Sequence, residues 1–106
     1  MDNELDILSI KEKYSTGHIK WSTHGLARMQ EREIDPDDVE NCINYGKIIE
    51  QYSNAYPYPA CLILGTKKNN SIIHVVVGYG CDLVWIITAY EPDIEEWENG
   101  FSRRKR

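Results

Sequence analysis

Four short segments in the second half of the sequence are rich in apolar, β-branched and aromatic residues, and turn residues separate them. This composition is typical of β-strands. The connections at residues 67–70 and 80–82 are short enough to be hairpin turns, so the last three strands should form an antiparallel meander. Residues 72–77 and 83–87 lack polar alternation, which indicates strands covered on both faces. The four predicted strands are residues 47–52, 60–66, 71–79 and 83–90.

Helix signals dominate the first half of the sequence. Residues 35–38 supply a capping aspartate, a proline at the first helical position, and acids that face the positive end of the helix dipole. The helix that begins there should end at Gly46. Ser22 or Thr23 can cap the preceding helix, which should run to about Glu33.

Weaker patterns predict further structure at the two ends of the chain. A loosely amphipathic helix is expected over residues 3–14, ended by Gly17, and residues 19–21 form a brief extended piece. Asp93 should open a short C-terminal helix that carries Trp97. Helices followed by a sheet predict an α+β fold, with the N-terminal helices packed on one face of a four-stranded, mainly antiparallel sheet.

Composition limits the class of protein. The chain of 106 residues is long enough for one domain with a single modest core, so residues 1–106 are expected to form one unit. No apolar run is long enough to cross a bilayer, which predicts no membrane contact. The sequence begins with acidic residues, whereas a secretory signal begins with basic ones, so a cytoplasmic location is expected.

The net charge and the cysteines argue against two kinds of site. A net charge of -5 disfavours nonspecific nucleic-acid binding, which depends on Lys and Arg at phosphates, although residues 103–106 are all basic and leave room for a local basic site. Cys42, Cys61 and Cys81 are widely spaced, so neither a disulfide framework nor a paired metal site is indicated. Neither a metal ion nor another cofactor is therefore expected.

His24, Arg28 and Arg32 recur every four residues along the second predicted helix, opposite the apolar residues that would face the core. We call these three residues the basic stripe. The helix dipole favours the neutral, proton-accepting form of a histidine in the first turn, and planar guanidinium groups bind phosphate well. A solvated helix face, with Glu31 as an ion-pair partner, explains the same pattern.

Two residues on the predicted strands are further candidates for a site. His74 lies in a strongly apolar strand, where a lone histidine is usually a hydrogen-bonded core residue. If it faced His24 instead, the two rings would supply the acid and the base that phosphodiester cleavage requires. Tyr90 ends the last strand, where a side chain lies at the rim of the sheet. The sequence leaves open whether His74 is a hydrogen-bonded core residue or a catalytic partner of His24.

Short motifs follow one another in a distinctive order along most of the chain. They are His24-Gly25-x-x-Arg28-Met29-x-Glu31-Arg32-x-Ile34, Asp38-Val39, Gly46, Leu62-x-Leu64-Gly65, His74-Val75-Val76 and Ile87-Thr88-Ala89-Tyr90-x-Pro92-Asp93 with Trp97. This order resembles the bacterial domain-of-unknown-function family 4258, with residues 18–106 as the family-like core and residues 1–17 as an N-terminal helix extension. Gly25 stands where alanine is commoner and Glu33 where a helix-ending glycine is commoner, so a different helix exit is expected.

The resemblance carries an expectation about fold and function. Leading helices followed by an antiparallel sheet are similar to the RelE/ParE toxins and barnase-like ribonucleases, which implies a RelE-like layout and an endoribonuclease toxin paired with a small antitoxin protein. In a metal-independent cleavage of RNA, His24 would deprotonate the 2′-hydroxyl, and His74 or Tyr90 would protonate the leaving oxygen. Arg28 and Arg32 would neutralise the charge on the phosphorane.

Two other classes of function fit the same residues. The basic stripe could dock an acidic protein partner or RNA without any chemistry, in which case binding would weaken steeply with salt. Alternatively the histidines are inert and the chain has a structural role. The separation of His24 and His74 in the fold discriminates between catalysis and these alternatives.

Overall fold

The computed structural model describes residues 4–98 and 100–105. Each predicted strand is present within one residue of its expected bounds, which confirms the strand-rich second half. The elements in chain order are α1 (Ile7–Ser15), β1 (Ile19–Trp21), α2 (Thr23–Glu31), α3 (Pro36–Tyr45), β2 (Lys47–Tyr52), β3 (Ala60–Thr66), β4 (Ile72–Gly80) and β5 (Leu83–Tyr90).

The sheet has five strands in the order β1-β5-β4-β3-β2, and the prediction of four strands was wrong. The additional strand is β1, the segment that the sequence suggested only as a brief extended piece. It pairs in parallel with β5, from Ile19 opposite Val84 to Trp21 opposite Ile86, whereas the other three pairings are antiparallel. The chain is therefore an α+β protein with a mixed sheet.

Local signals explain where the helices begin. Asp35 caps α3 in a capping box with Asp38, Pro36 is the first helical residue, and the helix ends before Gly46 as predicted. Ser22 caps α2 by accepting a hydrogen bond from the backbone of Gly25. Asp6 caps α1, and the predicted start of that helix at residue 3 lies outside the described residues.

Helix α2 ends two residues earlier than the sequence predicted. The helix ends at Glu31, and Glu33 adopts a left-handed conformation with a φ of 58°. A left-handed residue after a helix is usually glycine, because a side chain is disfavoured there. This is the position where the resembling family more often has a glycine, and Glu33 adopts the left-handed conformation there in this chain.

The predicted C-terminal helix after Asp93 is not formed. Residues 94–96 make a turn instead, and Trp97 pairs in an isolated β-bridge with Arg104. The bridge buries the Trp97 ring, which is 3% exposed. Tertiary burial of the indole thus overrides the local helix signal.

The helices build the main core on one side of the sheet. Alternate residues of each strand face the helices, as the geometry of a strand requires. None of the described helices is long and apolar enough to cross a bilayer. Helix α2 approaches β5 so closely that a Cβ on Gly25 would overlap the carbonyl oxygen of Ile87. This core includes Ile10, Met29, Val39, Cys42, Ile43, Cys61, Ile63, Ile73, Val75, Val77, Val84, Ile86 and Ala89.

Candidate functional site

His74 lies on the face of the sheet opposite the helices. Its neighbours Ile73 and Val75 belong to the helical core, so strand alternation directs the imidazole to the other side. The side chain is fully buried there, beneath the C-terminal segment that contains Trp97 and Phe101. A polar ring in such a place requires hydrogen-bond partners.

Both ring nitrogens of His74 have partners. Nε2 lies 2.8 Å from the carbonyl oxygen of Phe101, which can only accept, so Nε2 carries a hydrogen and donates it. In the neutral ring Nδ1 is then the acceptor, and it lies 3.3 Å from the hydroxyl oxygen of Tyr90. Burial lowers the pKa of His74, which favours this neutral form.

Tyr90 pairs with His74 across the hairpin of β4 and β5, and their rings meet edge to face with centroids 5.3 Å apart. Burial raises the pKa of Tyr90, so its phenol stays protonated and donates to Nδ1. The half-buried side chain lines an open cleft with a volume of about 510 Å³, which we call the Tyr90 cleft. The cleft is lined by Arg32, Tyr90, Glu91, Asp93, Glu96, Trp97 and Arg104.

The C-terminal segment closes the site over the sheet. The Trp97 ring packs edge-on against His74 at 4.4 Å, and the Arg104 guanidinium lies 4.6 Å from the Trp97 ring centre. Arg104 Nε also donates to Glu50 on β2 at 3.0 Å, and the Tyr52 hydroxyl donates to the same carboxylate. Burial would raise the pKa of Glu50, but these two donors lower it and keep it ionised.

The structure brings one member of the basic stripe to this site. Arg32, just after α2, donates from one guanidinium nitrogen to the carbonyl oxygen of Ala89 at 2.9 Å and to Thr88 Oγ1 at 3.4 Å. Both partners are uncharged, and the guanidinium lines the Tyr90 cleft together with the carboxylate residues Glu91, Asp93 and Glu96. Arg32, Tyr90 and His74 thus form one cluster.

His24 and Arg28 lie apart from this cluster. Both are exposed on α2, and within residues 4–98 and 100–105 neither forms an ion pair or a side-chain hydrogen bond. Arg32 follows His24 by eight positions, which is a rise of about 12 Å along a helix. His24 and His74 also lie in different settings, one exposed on a helix and the other buried beneath the far face of the sheet.

Several residues that shape the site were not predicted from the sequence as site residues. Trp97 was predicted only as part of a C-terminal helix and of the last motif, and Arg104 was one residue of a basic tail. Glu50 and Tyr52 gave the one available signal. They are two residues apart on β2, so their side chains share a face of the strand and can form the hydrogen bond seen between them. Among the described residues, no three His, Cys, Asp or Glu side chains lie close enough together to hold a metal ion.

We expect the stability of the protein to fall as the pH is lowered from about 7.5 to about 5. Burial lowers the pKa of His74, so over this range the unfolded chain binds a proton that the folded chain does not, and the free energy of unfolding decreases. Urea denaturation at both pH values measures the change. A His74→Gln variant should show a smaller dependence, and equal dependences would contradict this origin.

Comparisons with curated proteins and with solved structures found no match. A comparison with protein-family models found one. The matched region runs from the end of β1 to just beyond β5, and it contains all five predicted site residues but neither Trp97 nor Arg104. The family described as Domain of unknown function (DUF4258) is matched over residues 21–91, most of the chain, and the protein therefore belongs to this family.

Proposed function

We propose that this protein is a metal-independent endoribonuclease that cleaves RNA in the Tyr90 cleft. One observation carries the proposal: the Tyr90 hydroxyl is held by the acceptor nitrogen of a buried, neutral histidine, beside the Arg32 guanidinium, which forms no ion pair within residues 4–98 and 100–105. A hydroxyl bonded to a histidine acceptor is the usual arrangement for activating oxygen chemistry. An adjacent guanidinium suits a reaction that gathers negative charge on phosphate oxygens.

In the proposed reaction the 2′-hydroxyl of RNA gives its proton to the Tyr90 oxygen, while Tyr90 passes its own proton to Nδ1 of His74. The 2′-oxygen attacks the phosphorus, Arg32 stabilises the phosphorane, and the bond to the 5′-oxygen breaks. The leaving oxygen takes a proton from water, and the proton on His74 returns through Tyr90 to the solvent. The products are a 2′,3′-cyclic phosphate and a 5′-hydroxyl end.

His24 and Arg28 have a binding role in this proposal, and Tyr90 replaces His24 as the group that deprotonates the 2′-hydroxyl, because the exposed His24 lies apart from the buried His74. Because His24 lies about 12 Å along the helix from Arg32, it contacts a neighbouring phosphate and not the one that is cleaved. The exposed Arg28 guanidinium lies between them and binds a phosphate through its planar donors. The basic stripe thereby guides the RNA backbone toward the Tyr90 cleft.

Incubation of the full chain with end-labelled single-stranded RNA in EDTA tests the reaction. We expect fragments that end in a 2′,3′-cyclic phosphate, and no cleavage of DNA of the same sequence, which lacks the 2′-hydroxyl. A Tyr90→Phe protein purified in the same way controls for contaminating ribonuclease. Intact RNA, or equal cleavage by both proteins, would contradict the proposal.

The toxin role, the antitoxin partner and the RelE-like layout belong to the same proposal and derive from the family resemblance. A toxin of this kind should arrest growth when it is expressed alone, and co-expression of the neighbouring gene should relieve the arrest. Growth arrest that the Tyr90→Phe protein causes equally would separate toxicity from the proposed reaction.

A binding module without chemistry is the second candidate function. It is favoured by His24 and Arg28, which have no side-chain partner among the described residues and lie exposed, away from the Tyr90 cleft. Such a module would bind RNA or an acidic protein with an affinity that falls steeply as salt is raised, and it would leave the RNA intact. The cleavage assay therefore discriminates between the two candidates.

A further inference from the structure

A second concave surface lies on the same face of the sheet as His74, toward the other end of β5. It is an open groove of about 290 Å³, lined mostly by aromatic and aliphatic atoms. The Tyr58 and Trp85 rings stack there with centroids 6.1 Å apart. We call this surface the aromatic pocket, and its principal residues are Ser22, Tyr56, Pro57, Tyr58, Trp85 and Ile87.

The aromatic pocket exposes apolar surface that the fold itself does not use. Tyr56 is 96% exposed and Ile87 is 40% exposed, although both are large and hydrophobic. Ile87 is the additional residue of a bulge in β5, which turns its side chain outward. Gly78 adjoins Trp85 and Ile87 in the pocket and contributes no side chain that would fill it. Open aromatic surface of this kind is typical of a binding site.

The position of the aromatic pocket relative to α2 links it to the Tyr90 cleft. Ser22, the cap of α2, lines the pocket, and Arg32, just after the helix, lines the cleft. Arg32 follows Ser22 by ten positions, which is a rise of about 15 Å along a helix. His24 and Arg28 lie along this path, and among the described residues no carboxylate pairs with Arg28 or Arg32. Arg28 on this path and Arg32 at the cleft therefore place two positive charges between the aromatic pocket and the Tyr90 cleft.

We propose that the aromatic pocket binds one unpaired base of a single-stranded RNA whose backbone follows the basic stripe into the Tyr90 cleft. Single-stranded RNA offers both features that this path requires, bases with open aromatic faces and a regular series of phosphates. The 15 Å path accommodates about four stacked nucleotides, or fewer in an extended strand. A base in a duplex has both faces stacked and cannot enter the pocket. This inference rests on the proposed function, because it names the substrate of that site.

Binding of an RNA oligonucleotide with 2′-O-methyl groups, which this reaction cannot cleave, tests the inference directly. We expect the Tyr56→Ala variant of the full chain to bind a fluorescent oligonucleotide about tenfold more weakly than wild type, since stacking on one aromatic residue contributes that much. Tyr45→Ala is the matched control, because Tyr45 is 83% exposed at the end of α3, outside the pocket. Duplex RNA of the same sequence should bind wild type more weakly than the single strand.

Removal of single bases locates the occupant of the pocket. One abasic position should weaken binding to wild type about tenfold and leave binding to Tyr56→Ala unchanged. Equal binding by the Tyr56→Ala and Tyr45→Ala proteins, or equal losses at every abasic position, would overturn the inference. The uncleavable oligonucleotide measures binding independently of cleavage. If it binds through the pocket while ordinary RNA stays intact in the cleavage assay, the proposed reaction is refuted and this inference stands.

Discussion

Replacing Tyr90 with phenylalanine is expected to lower the rate of RNA cleavage by about a hundredfold or more. The substitution keeps the ring, which packs on His74, and removes only the hydroxyl that would relay the proton. His74 Nδ1 loses one hydrogen-bond donor, so the free energy of unfolding should fall by about 1 kcal/mol. Single-turnover cleavage and urea denaturation of the same preparation separate the chemical effect from the structural one.

Tyr79→Phe is the matched control for this prediction. Tyr79 is also a half-buried tyrosine on the sheet, but it packs against the helical core on the opposite face. Its substitution should leave the cleavage rate within a few-fold of wild type. A Tyr90→Phe protein that cleaves RNA as fast as Tyr79→Phe would rule out Tyr90 as the catalytic residue and leave Arg32 to act on phosphate binding alone.

The sequence predicted the elements that depend on local signals. The bounds of β2, β3 and β5 are those expected, because turn residues delimit each apolar segment. Helix α3 begins at Pro36 after a capping aspartate, for which local chemistry is sufficient. In contrast, β1 has only three residues and pairs with β5, which is more than 60 residues away, so the local pattern indicates an extended piece but not that it joins the sheet.

The contact between His74 and Tyr90 depends on a feature that the sequence does not show. The turn of the hairpin places Gly80 opposite Leu83, and uninterrupted pairing from there would bring Ala89 opposite His74. The bulge at Ile87 shifts the register by one residue and brings Tyr90 there instead. Residues opposite each other share a face of the sheet, so the bulge determines that the phenol meets the imidazole.

Burial of His74 likewise depends on a distant segment. The alternation of β4 predicts which face the ring occupies, but the cover over that face is the turn at residues 94–96 and the bridge between Trp97 and Arg104. The acidic residues after Asp93 resemble a helix start. The contacts of the Trp97 indole with His74 and with Arg104 stabilise the β-bridge, which forms there instead of a helix.

Replacing Trp97 with alanine is expected to lower the free energy of unfolding by about 3–5 kcal/mol. The indole is 3% exposed, packs on His74 and lies against the Arg104 guanidinium, so its removal leaves a cavity and releases a cation–π contact. The loss is a large part of the stability of a domain of this size. Urea denaturation followed by circular dichroism measures it.

Ile94→Ala is the matched control, since Ile94 lies three residues earlier in the same segment and is 66% exposed. Its substitution should change the free energy of unfolding by no more than about 0.5 kcal/mol. A Trp97→Ala protein as stable as Ile94→Ala would show that the C-terminal segment does not hold His74 in the folded chain. If the segment does hold it, loss of the indole admits water to the imidazole and weakens its hydrogen bond with Tyr90, so the same variant should also cleave RNA more slowly.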